Sequence, residues 1–157
     1  MGIGGFINIS QNARKVVFSG TFTAGGLEVA CEDGHLQIVT EGRHSKFVGA
    51  IEQICYNAPF AEREGRMALF VTERCVFRAM GGTLELIEVA PGIEVQRDIL
   101  DRMAFRPTIS NDLKPMDMRV FSPAPMGLRT DMERLDRQAR LPRRQLAGIG
   151  ASAAPRG

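Results

Sequence analysis

Cysteine and histidine are scarce in this chain, and that scarcity removes several kinds of chemistry at once. Cys31, Cys55 and Cys75 are odd in number and widely spaced, which fits neither a disulfide framework nor the paired CxxC spacing of a zinc site. They are expected to be reduced and buried, packing as small apolar groups. His35 and His44 are the two imidazoles, too few and too isolated to make a metal centre, so no metal is expected. Each is read as a solvated or hydrogen-bonded side chain. Long apolar runs are also missing, which excludes a membrane span. Met1 to Ile9 lack the basic region, apolar run and small-residue cleavage site that make a secretory signal. A cytoplasmic protein with no membrane attachment is the expectation.

Net charge is low as well. At +2 it does not imply nucleic acid. The positive charge is concentrated in Arg134, Arg137, Arg140, Arg143, Arg144 and Arg156, leaving the body of the chain slightly acidic. No aromatic residue is interleaved with these arginines to stack on bases, so nucleic acid is not an expected partner. What is present suits a globular unit: 157 residues, 44% hydrophobic and 24% charged, enough for one domain with a core and short of two.

Periodicity sketches the elements. Lys15 to Phe22 (KVVFSGTF) reads as a buried strand running into the tight loop Ala24-Gly25-Gly26. Leu27 to Cys31 and Leu36 to Thr40 flank Glu32-Asp33-Gly34-His35, an Asp-Gly hairpin signal. Phe47 to Tyr56 is read as a strand, although Ala50, Ile51 and Ile54 also suit a helix face. Met67 to Val71 (MALFV) reads as a strand covered on both faces. A second hairpin is expected from Cys75 to Met80 and Leu84 to Val89 around Gly81-Gly82-Thr83. Val95, Ile99 and Met103 recur at every fourth residue, giving a short amphipathic helix that Pro107 stops. Pro115, Pro123 and Pro125 make the stretch after Asn111 a peripheral strap. From Met132 a helical turn or two is allowed, and Ala147 to Gly157 is expected to be disordered.

Candidate chemistry is thin on pattern alone. Gly2-Ile3-Gly4-Gly5 could bring backbone N–H groups close to an oxyanion, because glycine has no Cβ to collide with a ligand. The string lacks the flanking strand and the GK[ST] context of a nucleotide fingerprint. Thr72-Glu73-Arg74 ends the MALFV strand, where α/β proteins often place functional groups, yet a polar strand-to-strand turn reads the same way.

Longer blocks carry more information. Gly4-Gly5-Phe6-Ile7-Asn8-Ile9-Ser10-Gln11-Asn12-Ala13, followed by VVFSGTFTAGGL, resembles the corresponding stretch of coenzyme A transferases of the acetate and propionate type. Val71-Thr72-Glu73-Arg74-Cys75-Val76-Phe77-Arg78 with Leu84 to Ile93 (LELIEVAPGI) is similar to signatures found across family I transferases. Phe121 to Leu128 (FSPAPMGL) resembles the same subfamily. The likeness spans Gly2 to about Gly127 and corresponds to the C-terminal part of those enzymes.

The resemblance implies an α/β fold, an open mixed sheet with hairpins and few helices. Residues 1–127 form the transferase region, and residues 128–157 form a basic, atypical, disordered tail whose ending reads as a shifted or truncated frame. It implies transfer of coenzyme A between a short-chain acyl-CoA and a carboxylate, through an acyl-glutamyl anhydride and then a glutamyl-CoA thioester. No cofactor is implied, since coenzyme A is a substrate. The family's glutamate lies in an E-x-G segment upstream of the GGF block, so this chain carries no catalytic residue. Glu41-Gly42 and Glu64-Gly65 contain the dipeptide in the wrong place. The implied oxyanion donors are Gly5 first and Gly4 second, with Gly25 and Gly26 near the coenzyme. Implied partners are acyl-CoA, a short carboxylate and the missing N-terminal transferase portion, in an oligomer. The rival expectation is a non-catalytic coenzyme-binding or interaction remnant of that fold.

Overall fold

The computed structural model describes residues 4–140, which fall into two units divided between Ala124 and Pro125. The first unit opens with helix α1 (Gly4–Asn12), followed by strand β1 (Lys15–Ser19). The chain reverses between them: Phe6 near the start of the helix packs on Phe18 near the end of the strand, with ring centroids 6.0 Å apart. Helix and strand are therefore antiparallel, and the amino end of α1 lies at the carboxyl end of β1. Arg66 reaches back to the carbonyl of Gln11, satisfying one of the acceptors that the end of a helix leaves open.

Strands β2 (Thr23–Ala24) and β5 (His44–Ser45) pair as a short antiparallel ribbon, and β3 (Glu28–Glu32) pairs with β4 (His35–Thr40). The Asp-Gly signal predicts this hairpin correctly. Asp33 and Gly34 take φ of 50° and 77°, the left-handed pair that a two-residue turn needs to match strand twist. Helix α2 (Ala58–Arg63) starts at Asn57, whose side chain accepts from Phe60 N at 3.0 Å. That N-cap, with Pro59 in the first turn, is a start signal passed over in the sequence.

The central sheet has the order β1-β6-β7-β8-β9, formed by β1 with β6 (Met67–Val71), β7 (Cys75–Met80), β8 (Thr83–Val89) and β9 (Thr108–Pro115). β1 runs parallel to β6, β6–β7–β8 are antiparallel, and β9 is parallel to β8. The sheet is mixed, as expected. Alternation along β7 sends Cys75 and Phe77 to one face and Val76 to the other. Phe22, Leu86 and Ile99 join the first group, and Leu36, Ala90, Met116 and Phe121 join Val76.

Several expectations are corrected. Phe47 to Tyr56 is irregular: it has no strand to pair with, and Ile51 and Ile54 are 62% and 72% exposed. Lys15 to Ser19 is an edge strand with alternate residues exposed, and in β6 Ala68 alone is buried. Cys31 is exposed and Cys55 half-buried, leaving Cys75 as the buried thiol. The stretch read as a strap contains β9: Thr108–Ile109 and Lys114–Pro115 pair with β8, while Asn111 and Asp112, weak strand formers, fall at the irregularity between the two paired runs.

The helix after Gly92 is a π-helical turn, Val95–Ile99, followed by a 3-10 turn, Leu100–Arg102. Glu94 caps it by accepting from Gln96 N and Arg97 N, while Asp98 accepts from Glu94 N at 2.9 Å. The widened turn buries two consecutive residues, Asp98 and Ile99, and frees the Asp98 carbonyl for a tertiary bond.

In the second unit, α3 (Leu128–Arg140) is a continuous helix where a turn or two was expected. Arg134 pairs with Asp131 and Arg137 with Glu133 at helical spacing, which adds local support. The segment Ala147 to Gly157, with Arg143 and Arg144, lies outside the described residues. No helix among the described residues is long and apolar enough to cross a membrane.

Candidate functional site

Parallel strands β1 and β6 end together, in register at Ser19 and Val71. Beyond them Gly20 N still donates to Val71 O at 3.1 Å, and the chain then turns inward at Phe22, which is fully buried. A cleft of about 470 Å³ opens at these carboxyl ends. Phe18, Phe47 and Phe70 line its apolar wall, and Ser19, Thr21, Lys46 and Thr72 supply polar groups. Lys46 Nζ donates to Thr21 Oγ1 at 2.8 Å. A cleft outside the carboxyl ends of parallel strands is the common position for ligands in open α/β sheets.

Gly4 and Gly5 stand in the first turn of α1 at this same end of the sheet, and both are exposed. First-turn amides have no acceptor within their own helix, and the helix dipole adds a partial positive charge there. A Cβ at Gly4 or Gly5 meets nothing within 4 Å. Packing among the described residues therefore does not require glycine at either position.

Gly25 and Gly26 lie elsewhere, in the connection from β2 to β3, with φ of 80° and 94°. Besides its left-handed backbone, Gly25 lies so close to His44 that a Cβ would be 2.7 Å from the ring. Gly25 thus fits the β2–β5 ribbon that delivers Lys46, while neither glycine lines the cleft. His35 Nδ1 lies 3.0 Å from the Asp33 carbonyl in the first hairpin turn. Among the described residues no group of histidine, cysteine, aspartate and glutamate could hold a metal ion.

Thr72-Glu73-Arg74 proves to be the hub of a buried charge network. Arg74 is wholly inaccessible; its Nη1 donates to Glu41 Oε2 at 2.9 Å and to the Asp98 carbonyl at 3.0 Å. Nη2 reaches Glu41 Oε1 at 3.0 Å, Nε reaches Glu73 Oε1 at 2.7 Å, and Cζ lies 4.6 Å from the Phe22 ring centroid. Burial disfavours the Arg74 cation, yet its bonds to Glu41 and Glu73 outweigh that and raise its pKa. On the other side, hydrogen bonding from Arg74, aided by Thr23, holds the Glu41 carboxyl at about 2. The network fixes the loop that leads from β1 into the core, and so shapes one side of the cleft.

Lys46 and Thr21 were passed over in the sequence. The signal available was a lysine at the end of a polar run directly before the apolar Phe47, a placement that lets the stem bury while the cation stays at the surface.

No protein-family model matches the chain. A caffeate CoA-transferase of Acetobacterium woodii is 50% identical over 131 residues, covering 83% of this chain and 25% of that enzyme. The acetate CoA-transferase YdiF of Escherichia coli strain K12 is 47% identical over 127 residues. This sequence is related to the CoA-transferases. Crystal structures of the acyl-CoA transferase YdiF from E. coli O157:H7, as apoenzyme and as a thioester complex with CoA, match at TM-scores of 0.78 and 0.77 with 47% identity. Each match covers 81% of this chain and 25% of that one. The described fold is thus part of a CoA-transferase fold, and the chain spans about a quarter of the length of the transferases it matches.

Proposed function

We propose that this chain forms the coenzyme side of a CoA-transferase active site, moving coenzyme A between a short-chain acyl-CoA and a carboxylate. The reacting glutamate comes from a transferase portion outside this sequence. Its carboxylate attacks the thioester carbonyl and expels the coenzyme A thiolate, leaving an acyl-glutamyl anhydride. The thiolate then attacks the glutamyl carbonyl, releasing the first acid and leaving glutamyl-CoA. A second carboxylate reverses the sequence.

Each attack passes through a tetrahedral oxyanion, so amides already aimed at that charge lower the barrier, by about 3 kcal/mol per donor in comparable sites. Gly5, with Gly4 beside it, supplies that donor in this reading. Gly25 and Gly26 are assigned no contact with the reacting atoms and serve the coenzyme side by holding the ribbon.

One observation carries the reading: the first turn of α1, built from glycines that packing among the described residues does not require, opens at the same sheet end as the cleft. Glycine costs helix stability, up to about 1 kcal/mol against alanine. In this reading glycine is there because it lets the oxyanion approach those amides closely.

The test is reconstitution. Acyl-CoA to carboxylate transfer is expected when the purified chain is combined with the remaining transferase portion, and not from the chain alone. Turnover by the isolated chain refutes the division of labour, and a combined protein that assembles without turnover refutes the assignment of function.

A further inference from the structure

The cleft at the ends of β1 and β6 is amphipathic in a specific way. Its wall is aromatic, from Phe18, Phe47 and Phe70, and a cation stands among its lining groups. Lys46 has no carboxylate partner among the described residues; its recorded bond is the donation to Thr21 Oγ1 at 2.8 Å. An ammonium carries three donors, so two remain. Because Thr21 Oγ1 accepts from Lys46, its own hydrogen is free to point elsewhere. Two adjacent donors, one of them charged, match the two oxygens of a carboxylate.

Size points the same way. About 470 Å³ falls within the roughly 300–1,000 Å³ of small-molecule sites, far more than a two-carbon acid fills. A single cation with one hydroxyl suits a monoanion better than a phosphate dianion, and the aromatic wall favours a ligand with an apolar body.

We propose that Lys46 and Thr21 bind the carboxylate of an organic acid whose hydrocarbon or aromatic body lies against Phe18, Phe47 and Phe70, so that the cleft selects bulkier acids over acetate. This rests on the transferase reading for its biological sense, and its binding test stands apart from turnover.

The experiment is calorimetry of the 157-residue chain with acetate, butanoate, hexanoate and 3-phenylpropanoate, with hexan-1-ol as the uncharged probe. Affinity is expected to rise about two- to fourfold per methylene, the factor for burying a CH₂ partly to fully. Hexan-1-ol should bind about tenfold more weakly than hexanoate, as loss of a charge-assisted bond implies. Lys46→Met should weaken hexanoate by a similar factor and leave hexan-1-ol unchanged; Lys46 is exposed, and circular dichroism checks that the variant is folded. Leu84, which lines the same cleft, gives a second variant: Leu84→Phe should weaken hexanoate and 3-phenylpropanoate more than acetate.

Affinity that does not change with chain length, equal binding of hexanoate and hexan-1-ol, or indifference to Lys46→Met overturns the proposal. If reconstituted transfer succeeds while none of these acids binds, this inference alone fails. If hexanoate binds as expected and reconstitution gives no transfer, the transferase reading fails and the acid site stands.

Discussion

Glu73 Oε2 accepts the backbone N–H of Phe22 at 2.7 Å, joining positions 51 residues apart, while its other oxygen holds Arg74. This one carboxylate connects the loop beside the cleft to the buried guanidinium. Because Arg74 also binds Glu41 and the Asp98 carbonyl, four separate stretches of chain converge on it. Interior charge is costly unless every donor is used. Four of the five Arg74 N–H groups are engaged, by Glu73, the Asp98 carbonyl and both oxygens of Glu41, and no buried side-chain nitrogen or oxygen among the described residues lacks a partner.

Removing the guanidinium should therefore be severe. Arg74→Met takes the buried counter-charge from Glu41 and Glu73, 23% and 16% exposed, and leaves the half-exposed Arg102, 3.8 Å from Glu41, as the remaining cation, at a cost of about 3–5 kcal/mol. Arg74→Lys restores the charge without the planar fork and should recover only part of the loss. Urea unfolding followed by circular dichroism measures both. A Met variant within about 0.5 kcal/mol of the parent, the range of ordinary surface changes, would show that the network is not a stabilising centre.

Acid should weaken the same network. Hydrogen bonding from Arg74 holds Glu41 at about 2 instead of 4.5, and Arg97 lowers Asp98 in the same direction. Between those values the unfolded chain binds a proton that the folded chain does not, so lowering the pH favours unfolding. The contribution of Glu41 is complete above about 4.5 and is lost progressively towards 2. The urea midpoint should fall across that window in the parent and fall less steeply in Glu41→Gln; identical slopes would remove Glu41 from the account.

How much of this was legible follows from the range of each signal. The Asp33-Gly34 turn is a local choice between two neighbouring residues, and it reads directly. Phe47 to Tyr56 has strand-like composition, but a strand needs a partner that composition does not reveal. Thr108 to Pro115 fails in the opposite sense: Asn111 and Asp112 argue against a strand and do break the ladder, but the residues on either side, Thr108–Ile109 and Lys114–Pro115, pair with β8. At the candidate site, Thr72-Glu73-Arg74 was visible as a group, yet its partners at Glu41 and Asp98 lie 33 and 24 residues away. Glu41, in one of the two Glu-Gly dipeptides, is likewise engaged at a distance, by two hydrogen bonds from Arg74. Lys46 was hidden for a similar reason, since its significance comes from Thr21, 25 residues earlier.

Thiol reactivity should be graded by position. Cys31 is exposed, Cys55 half-buried and Cys75 inaccessible. Burial pushes the Cys75 thiol up to about 12, partly offset by the Thr72 hydroxyl, so almost no thiolate is present at neutral pH. Iodoacetamide at pH 8 followed by peptide mass spectrometry should modify Cys31 first and Cys75 only when urea is added. Labelling of Cys75 in the native protein at a rate like that of Cys31 would contradict the packed core around Phe77.

Gly5→Ala separates packing from chemistry. A methyl group at Gly5 meets nothing within 4 Å, and alanine is the better helix former. The isolated chain should therefore keep its stability or gain up to about 1 kcal/mol. In the reconstituted transferase the same methyl group would stand where an oxyanion must approach the first-turn amides, and turnover should fall by roughly 10²-fold, as expected on disturbing one donor. The informative result is the combination. Stability maintained with turnover lost ties the glycine to the approaching ligand, whereas turnover maintained in a stabilised variant would show that Gly5 has no part in holding the oxyanion, leaving the α1 terminus as a structural feature.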